Sequence, residues 1–485
     1  MRTGHTTARK RRTAELAGVL MLALVAASCS SDSSASTTTA AATPTTVAAS
    51  ASAAVTTEPT VAETTDATSD DSTDATTEAS TDATTETADT TEETTEATTE
   101  ATDGSTDALG APNAASGDPI LIGTINEGGS DAINQQSENT LSGIQIAAKY
   151  ANEYLGGIAG HPIEIVSCGN KATPAGATDC ANQMIEKKIN AYIEPYSAQE
   201  AVIVSILAPT GIPLVLGSAA SAEALTTPGV FAMTGGYPAT LGAFAIDAKA
   251  KGFKKFSMIT VDVPAATAGA TALGGITFKK EGVEFEVVAV APGTPDMSPQ
   301  VQAAISGGAD VLGVTGDASF CSSFLQAYQT LGLSVPKYLI APCVDPTVIG
   351  AVPDALDGSF VATPRAPGPD DAVYAATVAK YGEGDIDPDP AVSSGVADGW
   401  GSMMALVNAM QGYTGPIDSA SLTAQIKAAK DIPVPLSGGL TATCDGTAIP
   451  IIANVCSGGV NIADVDSKGT LSNFDKLDAA EAYAP

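Results

Sequence analysis

Six cysteines in the last two thirds of the chain are the residues with the clearest covalent chemistry. They form three local couples separated by 12, 22 and 12 residues: Cys168 and Cys180, Cys321 and Cys343, and Cys444 and Cys456. Six cysteines allow several pairings, but this grouping favours a disulfide within each couple. A zinc site is disfavoured because no couple has the short spacing of a metal knuckle.

The residues needed for nucleophilic catalysis are sparse. Beyond the N-terminal region the chain has a single histidine, His161, at the mouth of a strand-like run, where a turn residue is the ordinary interpretation. No Gly-x-Ser-x-Gly nucleophile elbow lies near it, and cysteines held in disulfides offer no free thiolate. The sequence therefore predicts that the protein is not an enzyme and needs no cofactor.

Three aspartates at alternate positions imitate the start of a calcium loop. They are Asp385, Asp387 and Asp389, but Pro390 stands where such a loop needs glycine, and the distal glutamate is absent. The pattern favours a solvated helix entry, and we expect no metal site.

The N-terminus reads as an export signal that ends at a cysteine. Residues 1–28 carry a cluster of basic residues followed by an apolar run from Leu16 to Ala27, which is too short to span a bilayer but typical of a signal peptide. The last residues before Cys29 resemble a bacterial lipobox, so Cys29 is predicted to be lipidated. The alternative is an ordinary cleaved signal with a stray cysteine.

Residues 29–117 have the composition of a disordered tether. They consist almost entirely of Thr, Ala, Ser, Glu and Asp, and no Lys or Arg occurs between Arg12 and Lys149. Such a segment cannot bury enough apolar surface to offset its chain entropy. We interpret it as a spacer whose threonines are candidates for glycosylation; a tract with no role beyond spacing is equally compatible.

The rest of the chain is strongly acidic. Of the net charge of −33, the signal contributes +4 and the 17 acidic residues of the tether −17, which leaves −20 for residues 118–485. So acidic a body repels phosphate backbones, and this argues against nucleic-acid binding.

From Pro119 onward the sequence alternates strand-like and helical stretches, which predicts an α/β fold with parallel sheets. In the first series the strand-like runs are 120–123, 163–166, 191–194 and 213–216, with helical sequence around 141–155, 184–185 and 202–204. A second series has runs at 256–260, 283–288, 311–314 and 338–340. Helices dominate 371–431, where Trp400 and its apolar neighbours indicate core, and strand-like sequence returns from Leu436.

This order of segments resembles the type I periplasmic binding proteins of the branched-chain amino-acid importer family over 118–480. The residues that carry the resemblance are Ile122–Thr124, Asn152–Ile163 and Ala208–Pro213. The resemblance implies two Rossmann-like lobes joined by crossover strands, with solute bound between them. Lobe 1 would comprise 118–237 and 365–432, and lobe 2 would comprise 238–364 and 433–485.

The resemblance also implies ligand contacts at the carboxyl ends of strands. In lobe 1, Ser197 matches a serine that binds the ligand carboxylate, and Ser218, Ala219 and Ala220 match a second ligand-binding segment. Ala220 replaces the usual threonine, so only its backbone contact carries over. The alternative for both loops is helix capping.

Other cleft residues follow from the same comparison. Tyr196, Tyr237 and Gln136 are expected to line the cleft. In lobe 2 the sequence departs from the family, because two expected tyrosines align with Ala266 and Asp317, and the acidic residue that holds an α-ammonium aligns with Pro342. Asp317 is therefore a candidate for the missing charge, or else only a helix cap.

The resemblance implies that the protein captures a small amino-acid-like or amide-like solute for an ABC importer. Its expected partners are that solute and the permease and ATPase subunits, and a monomer is expected. It would lie on the extracytoplasmic face of the cell membrane, held by its lipid anchor alone. A sensing lobe that presents its ligand to a membrane receptor is the alternative.

Overall fold

The computed structural model describes residues 107–128 and 131–484. The predicted signal peptide, Cys29 and most of the predicted tether lie outside the described residues. No helix within them is long and apolar enough to cross a membrane.

A five-stranded parallel sheet forms the first layer. Its strands are β1 (Ile120–Asn126), β2 (Ile163–Gly169), β3 (Ala191–Glu194), β4 (Leu214–Leu216) and β5 (Val230–Ala232). They lie in the order β2-β1-β3-β4-β5. Strands β3, β4 and β5 are buried throughout, as expected for a parallel sheet covered on both faces.

Seven helices accompany this sheet. They are α1 (Asp131–Tyr150), α2 (Pro174–Glu186), α3 (Glu200–Leu207) and α4 (Ala222–Thr226), together with three helices that come later in the chain and are given below. Residues from α1 and the later helices share one apolar core with the sheet, and residues from α2, α3 and α4 share another. We call this sheet and its helices lobe 1. The predicted helix at 202–204 is confirmed as part of α3.

A seven-stranded sheet forms the second lobe. Its parallel strands are β6 (Lys255–Val261), β7 (Glu284–Val290), β8 (Val311–Thr315), β9 (Lys337–Ile340) and β10 (Ser359–Thr363). A short hairpin of β11 (Ile432–Pro433) and β12 (Thr441–Ala442) follows, and β13 (Gly459–Val465) and β14 (Leu471–Asp478) complete the sheet. The order is β14-β13-β10-β9-β8-β6-β7, with β13 antiparallel to β10.

The second sheet is also covered by helices. These are α5 (Gly236–Ala250), α6 (Pro264–Gly269), α7 (Gly275–Glu281), α8 (Ser298–Ser306), α9 (Ala318–Thr330), α10 (Pro346–Ala351) and α11 (Pro353–Leu356). Helices α12 (Asp370–Tyr381), α13 (Ser394–Ala409) and α14 (Ser419–Ala428) return to lobe 1, and α15 (Ala480–Tyr483) ends on lobe 2. The predicted α/β fold with two lobes is confirmed.

Helices α1 and α13 approach each other unusually closely. A Cβ atom on Gly143 would lie 1.9 Å from the carbonyl oxygen of Val396, and one on Gly399 would lie 1.9 Å from that of Thr140. Only glycine fits where two backbones come so near. Trp400, predicted as core, is 2% exposed beside this contact.

Crossing segments of the chain lie side by side between the two sheets. Ala366 donates its N–H to the Leu436 carbonyl at 3.1 Å, and Ala232 donates to Asn454 at 2.8 Å. These bonds tie the exit of β10 to the loop of the hairpin and the end of β5 to the segment that follows the hairpin. Helix α5 packs on the second sheet, so Tyr237, which the predicted boundary puts at the end of lobe 1, stands at the start of a lobe 2 helix.

All three predicted disulfides are confirmed. Cys168–Cys180, Cys321–Cys343 and Cys444–Cys456 have Cα–Cα distances of 5.5, 5.1 and 4.3 Å. The first joins the end of β2 to α2, and the second joins α9 to the turn after β9. Both therefore brace the carboxyl ends of parallel strands.

Candidate functional site

The topological switch point of lobe 1 lies between β1 and β3. From β1 the chain crosses to β2 on one side and then to β3 on the other, so the loops after β1 and β3 diverge and leave a crevice at the carboxyl edge. Ligands of open α/β sheets bind in such crevices. Glu127 follows β1 directly, and Pro195–Gln199 follow β3, so these residues form the crevice walls.

Glu127 spans this crevice. The Ser197 hydroxyl donates to its Oε1 at 2.9 Å, and the Ala198 N–H donates to the same oxygen at 2.7 Å. Ser197 is only 3% exposed, and its Oγ also accepts from the Gln199 N–H at 3.0 Å. The hydroxyl predicted to bind a ligand carboxylate is thus bonded to a carboxylate of the protein itself.

Glu200 likewise accepts hydrogen bonds from a loop, the neighbouring one after β4. Its Oε1 accepts from the N–H groups of Ala220 at 3.1 Å and Ser221 at 2.7 Å, and from the Ser221 hydroxyl at 2.6 Å. Ser221 Oγ in turn accepts from the Ala224 N–H and so caps α4. The predicted backbone donor of Ala220 is therefore occupied by Glu200.

A third carboxyl group lies beneath these two. Glu194, at the end of β3, is 1% exposed and accepts a hydrogen bond from the Tyr192 hydroxyl, while its Oε1 has no partner. Burial raises the pKa of Glu194 to about 8; the bond from Tyr192 opposes this shift, and the charges of Glu200 and Glu127 add to it. Its carboxyl group is therefore largely protonated at neutral pH.

Ser218 lies at the edge of a cavity of about 140 Å³. Gly217 and Arg365 also line this cavity, whereas Ala219 is buried. The Arg365 guanidinium donates to the carbonyls of Pro390 and Ser394 at 2.9 and 2.8 Å and pairs with the Asp398 carboxylate. Arg365, the one basic residue among those that line this cavity, is thus already paired with Asp398 of α13.

The switch point of lobe 2 lies between β6 and β8 and carries hydroxyl groups. Thr260 and Thr315 stand opposite each other with their Oγ1 atoms 2.8 Å apart, both buried. The Tyr237 hydroxyl is buried close to this pair without a hydrogen bond of good geometry. Burial raises the pKa of Tyr237, and the two threonine hydroxyls partly oppose that rise.

Asp317 follows β8 and caps α9. Its Oδ1 accepts from the Phe320 N–H at 2.8 Å and from the Ser319 hydroxyl at 2.7 Å. The bonds from Phe320 and Ser319 lower the pKa of Asp317 and outweigh its partial burial. Asp317 is therefore an ionised helix cap at the carboxyl edge of the second sheet.

Tyr196, in the loop after β3, lies within electrostatic range of acidic groups from both lobes. Its ring is 65% exposed, yet the protein still dehydrates its hydroxyl, and this raises the pKa of Tyr196. Glu127, Glu200 and Glu194 of lobe 1 raise it further, and so does Asp317 of lobe 2. A small molecule beside Tyr196 therefore experiences negative charge from both lobes.

Gln136, Pro342 and the three aspartates of the calcium-like pattern are the remaining positions singled out from the sequence. Gln136, on an exposed part of α1, packs against Gly395 at the start of α13. Pro342 lies in an exposed turn after β9. Asp387 and Asp389 accept from nearby backbone N–H groups, and no group of three or more potential metal ligands occurs in the part of the chain that the structure describes.

Sequence reasoning found the loops of the site but missed their carboxylates. Glu127 comes four residues after the predicted strand 120–123, and Glu200 comes six residues after the predicted strand 191–194. That position was the available signal, because acidic residues at the carboxyl edge can reach the N–H groups of neighbouring loops. Helix capping, the alternative considered for these loops and for Asp317, is observed at two positions: Ser221 caps α4 and Asp317 caps α9.

Comparison with known proteins agrees with this architecture. The family model described as periplasmic binding protein matches residues 119–469. No curated protein matches the chain in sequence.

Solved structures share the fold at low sequence identity. A leucine-binding protein LivK from Thermotoga maritima is 19% identical, with a TM-score of 0.58 over 74% of this chain and 99% of its own. LivJ from Streptococcus pneumoniae, in complex with isoleucine, is 18% identical, with a TM-score of 0.54 over 74% and 99%. A fatty acid ABC transporter substrate-binding protein from Thermomonospora curvata is 15% identical, with a TM-score of 0.59 over 77% and 96%.

The matched region contains every strand from β1 to β13, and the family consists of extracytoplasmic solute-binding proteins rather than enzymes. The chain therefore belongs to the periplasmic binding protein family.

Proposed function

We propose that the protein captures one small solute between its two lobes and delivers it to an ABC importer on the extracytoplasmic face of the membrane. The observation that carries the proposal is that each of the two sheets has a switch point, while segments of one chain cross between the sheets. Each edge offers polar groups, and segments that cross between the sheets can act as a hinge. Closure around a ligand is the usual motion of such a pair of lobes.

The solute is proposed to be amino-acid-like or amide-like. Two of the similar structures are named for leucine binding or contain isoleucine, and another is named for fatty acid transport. The hydroxyls and carboxylates at the two edges suit a ligand with hydrogen-bonding groups better than a purely apolar one.

We further propose that Cys29 carries a lipid and that the tether holds the binding lobes away from the membrane. Changing Cys29→Ser should move the full-length protein from the membrane fraction to the soluble fraction. Recovery of the variant with the membranes would contradict the anchor.

Thermal-shift screening with small solutes, followed by small-angle X-ray scattering, tests the capture mechanism. Because a ligand that binds only the folded state shifts the folding equilibrium, a solute at a hundred times its Kd should stabilise the protein by about 2.7 kcal/mol. The same solute should reduce the radius of gyration as the lobes close. A stabilising solute that leaves the radius of gyration unchanged would contradict closure.

A further inference from the structure

Both loops of lobe 1 that could bind an anion are already occupied by carboxylates of the chain. Glu127 takes the Ser197 hydroxyl and the Ala198 N–H, and Glu200 takes the N–H groups of Ala220 and Ser221. These are short, charge-assisted bonds of the kind that a ligand carboxylate would need. A carboxylate-bearing solute would therefore have to displace one of these side chains.

Displacement is unfavourable because the departing carboxylate would stay in the same narrow crevice. Two carboxylates at contact distance repel each other, and their repulsion grows as closing lobes exclude water. A group that donates N–H bonds meets the opposite situation, since the Glu127 carboxylate accepts hydrogen bonds from Ser197 and Ala198 and an ionised carboxylate can accept about four in all. The charge of the crevice therefore favours a ligand group that donates N–H bonds over a ligand carboxylate.

Glu194 provides a second, independent observation that favours a hydrogen-bond donor over a carboxylate in this crevice. Its side chain is 1% exposed, its Oε1 has no hydrogen-bond partner, and it lies close enough to Glu200 and Glu127 to feel their charges. An unsatisfied buried oxygen is costly and is usually matched by a partner in the working state of a protein. Arg365 cannot balance these charges, because Asp398 and two carbonyls hold it.

We propose that lobe 1 binds the N–H-donating end of the solute, an ammonium or a primary amide, and that it rejects a free carboxylate at this position. Glu127 is the accepting group at the crevice mouth, and the Glu200 carboxylate keeps the neighbouring loop closed to anions. This inference rests on the proposed solute capture and specifies the chemical class of its ligand.

Two matched pairs of small molecules test the chemical class. Leucine and leucinamide differ only in the carboxylate, and isovalerate and isovaleramide differ in the same way without an amine. Calorimetry and thermal shift should show that the amide of each pair binds at least tenfold more tightly, about 1.4 kcal/mol. Equal or tighter binding of the carboxylates, with compaction in scattering, would overturn the class and leave solute capture intact. Failure of all four to bind would count against the inference and against the proposed amino-acid-like or amide-like solute together.

Variants then assign the discrimination to Glu127. Glu127→Gln keeps an acceptor for Ser197 and Ala198 but removes the charge, and should reduce the preference for the amides by about tenfold. Glu127→Ala frees both donors and should shift the preference towards leucine and isovalerate still further. Glu138→Gln, an exposed position on α1, should keep the parental preference. Unchanged preference in both Glu127 variants, with parental melting temperatures, would overturn the assignment.

Discussion

The two switch points of this molecule have the same geometry but opposite chemistry. In lobe 1 carboxylates follow the strands that diverge, and Glu127 and Glu200 each accept hydrogen bonds from the backbone of a loop. In lobe 2 the corresponding strands carry paired hydroxyls, Thr260 and Thr315, beside the Tyr237 hydroxyl. The sheet order therefore determines where a ligand can bind, and the side chains at the strand ends determine what it can be.

The two edges also differ in how their acidic groups are stabilised. Lobe 1 buries a carboxyl group, Glu194, beside two further carboxylates, whereas the acidic group of lobe 2, Asp317, is stabilised as an ion by two hydrogen bonds. Negative charge is thus costly at one edge and well accommodated at the other. Four predictions test this contrast, from the largest expected effect to the smallest.

Removing the buried carboxyl group of lobe 1 should have the largest effect on stability. Burial raises the pKa of Glu194 from 4.5 to about 8, so the folded protein retains a proton that the unfolded chain releases. The contribution of this carboxyl group to stability is complete below pH 4.5 and is lost progressively as the pH rises to 8. Glu194→Gln has no such proton to lose and should exceed the parent by up to about 4 kcal/mol at pH 8.

Urea denaturation of parent and Glu194→Gln between pH 4.5 and 8 measures this difference. The two curves should converge at the acid end of the range. Parallel curves, with a constant offset at every pH, would show that Glu194 is ionised in the folded protein. Glu138→Gln serves as the exposed control and should follow the parent.

Removing one disulfide from each lobe shows how much each bridge contributes to the free energy of unfolding. Replacing both cysteines of Cys168–Cys180 or of Cys321–Cys343 by alanine should lower the free energy of unfolding by about 3 kcal/mol, because the unfolded chain regains loop entropy. The lobe 2 bridge closes the longer loop, 22 residues against 12, and should cost about 0.5 kcal/mol more. Calorimetry checks both variants; a loss below about 1 kcal/mol in one lobe would show that this bridge does not brace its edge.

The charge of Asp317 separates its role as a cap from a role in binding. Asp317→Asn keeps a good N-cap, so the melting temperature without ligand should stay close to that of the parent. If the cationic end of a solute meets Asp317, its affinity should fall at least tenfold, about 1.4 kcal/mol. Calorimetry with leucinamide measures this. Unchanged affinity would restrict Asp317 to capping α9 and leave cation recognition to lobe 1.

Ser221 should show the smallest effect. Ser221→Ala removes the cap of α4 and one of the donors to Glu200, and should cost about 1 kcal/mol of stability. The backbone donors of Ala220 and Ser221 remain, so Glu200 should stay in place and the preference for amides should be unchanged. A change of ligand preference in this variant would show that the hydroxyl, and not the backbone, positions Glu200.

Much of the fold follows from local pattern. The short apolar runs at 120–123 and 311–314 predicted buried strands, and they form most of β1 and β8. Cysteine spacing predicted every disulfide correctly because loops of 12 and 22 residues bring their ends together easily. The π-helical turn at Ala151–Leu155, which ends α1 before Gly156, had no such signal, because a single extra residue in a helical turn does not change the apolar period.

The loops of the site were predictable, but their chemistry was not. Ser197 and Ser218 stand after strands, and strand ends locate a site in any α/β sheet. Whether a serine is free to bind a ligand depends on side chains far away in sequence, such as Glu127, 70 residues before Ser197.

By itself, the sequence determined the strand and helix order, the disulfide pairs and the edge at which we propose that a ligand binds, because these depend on local periodicity and short loops. Only the tertiary structure decided which groups meet at that edge. Parallel strands bring residues from distant parts of the chain to one line, so the pairing of Glu127 with Ser197 and of Glu200 with Ser221 exists only after the sheet has formed. The charge of the binding crevice is for that reason a property of the fold and not of any single segment.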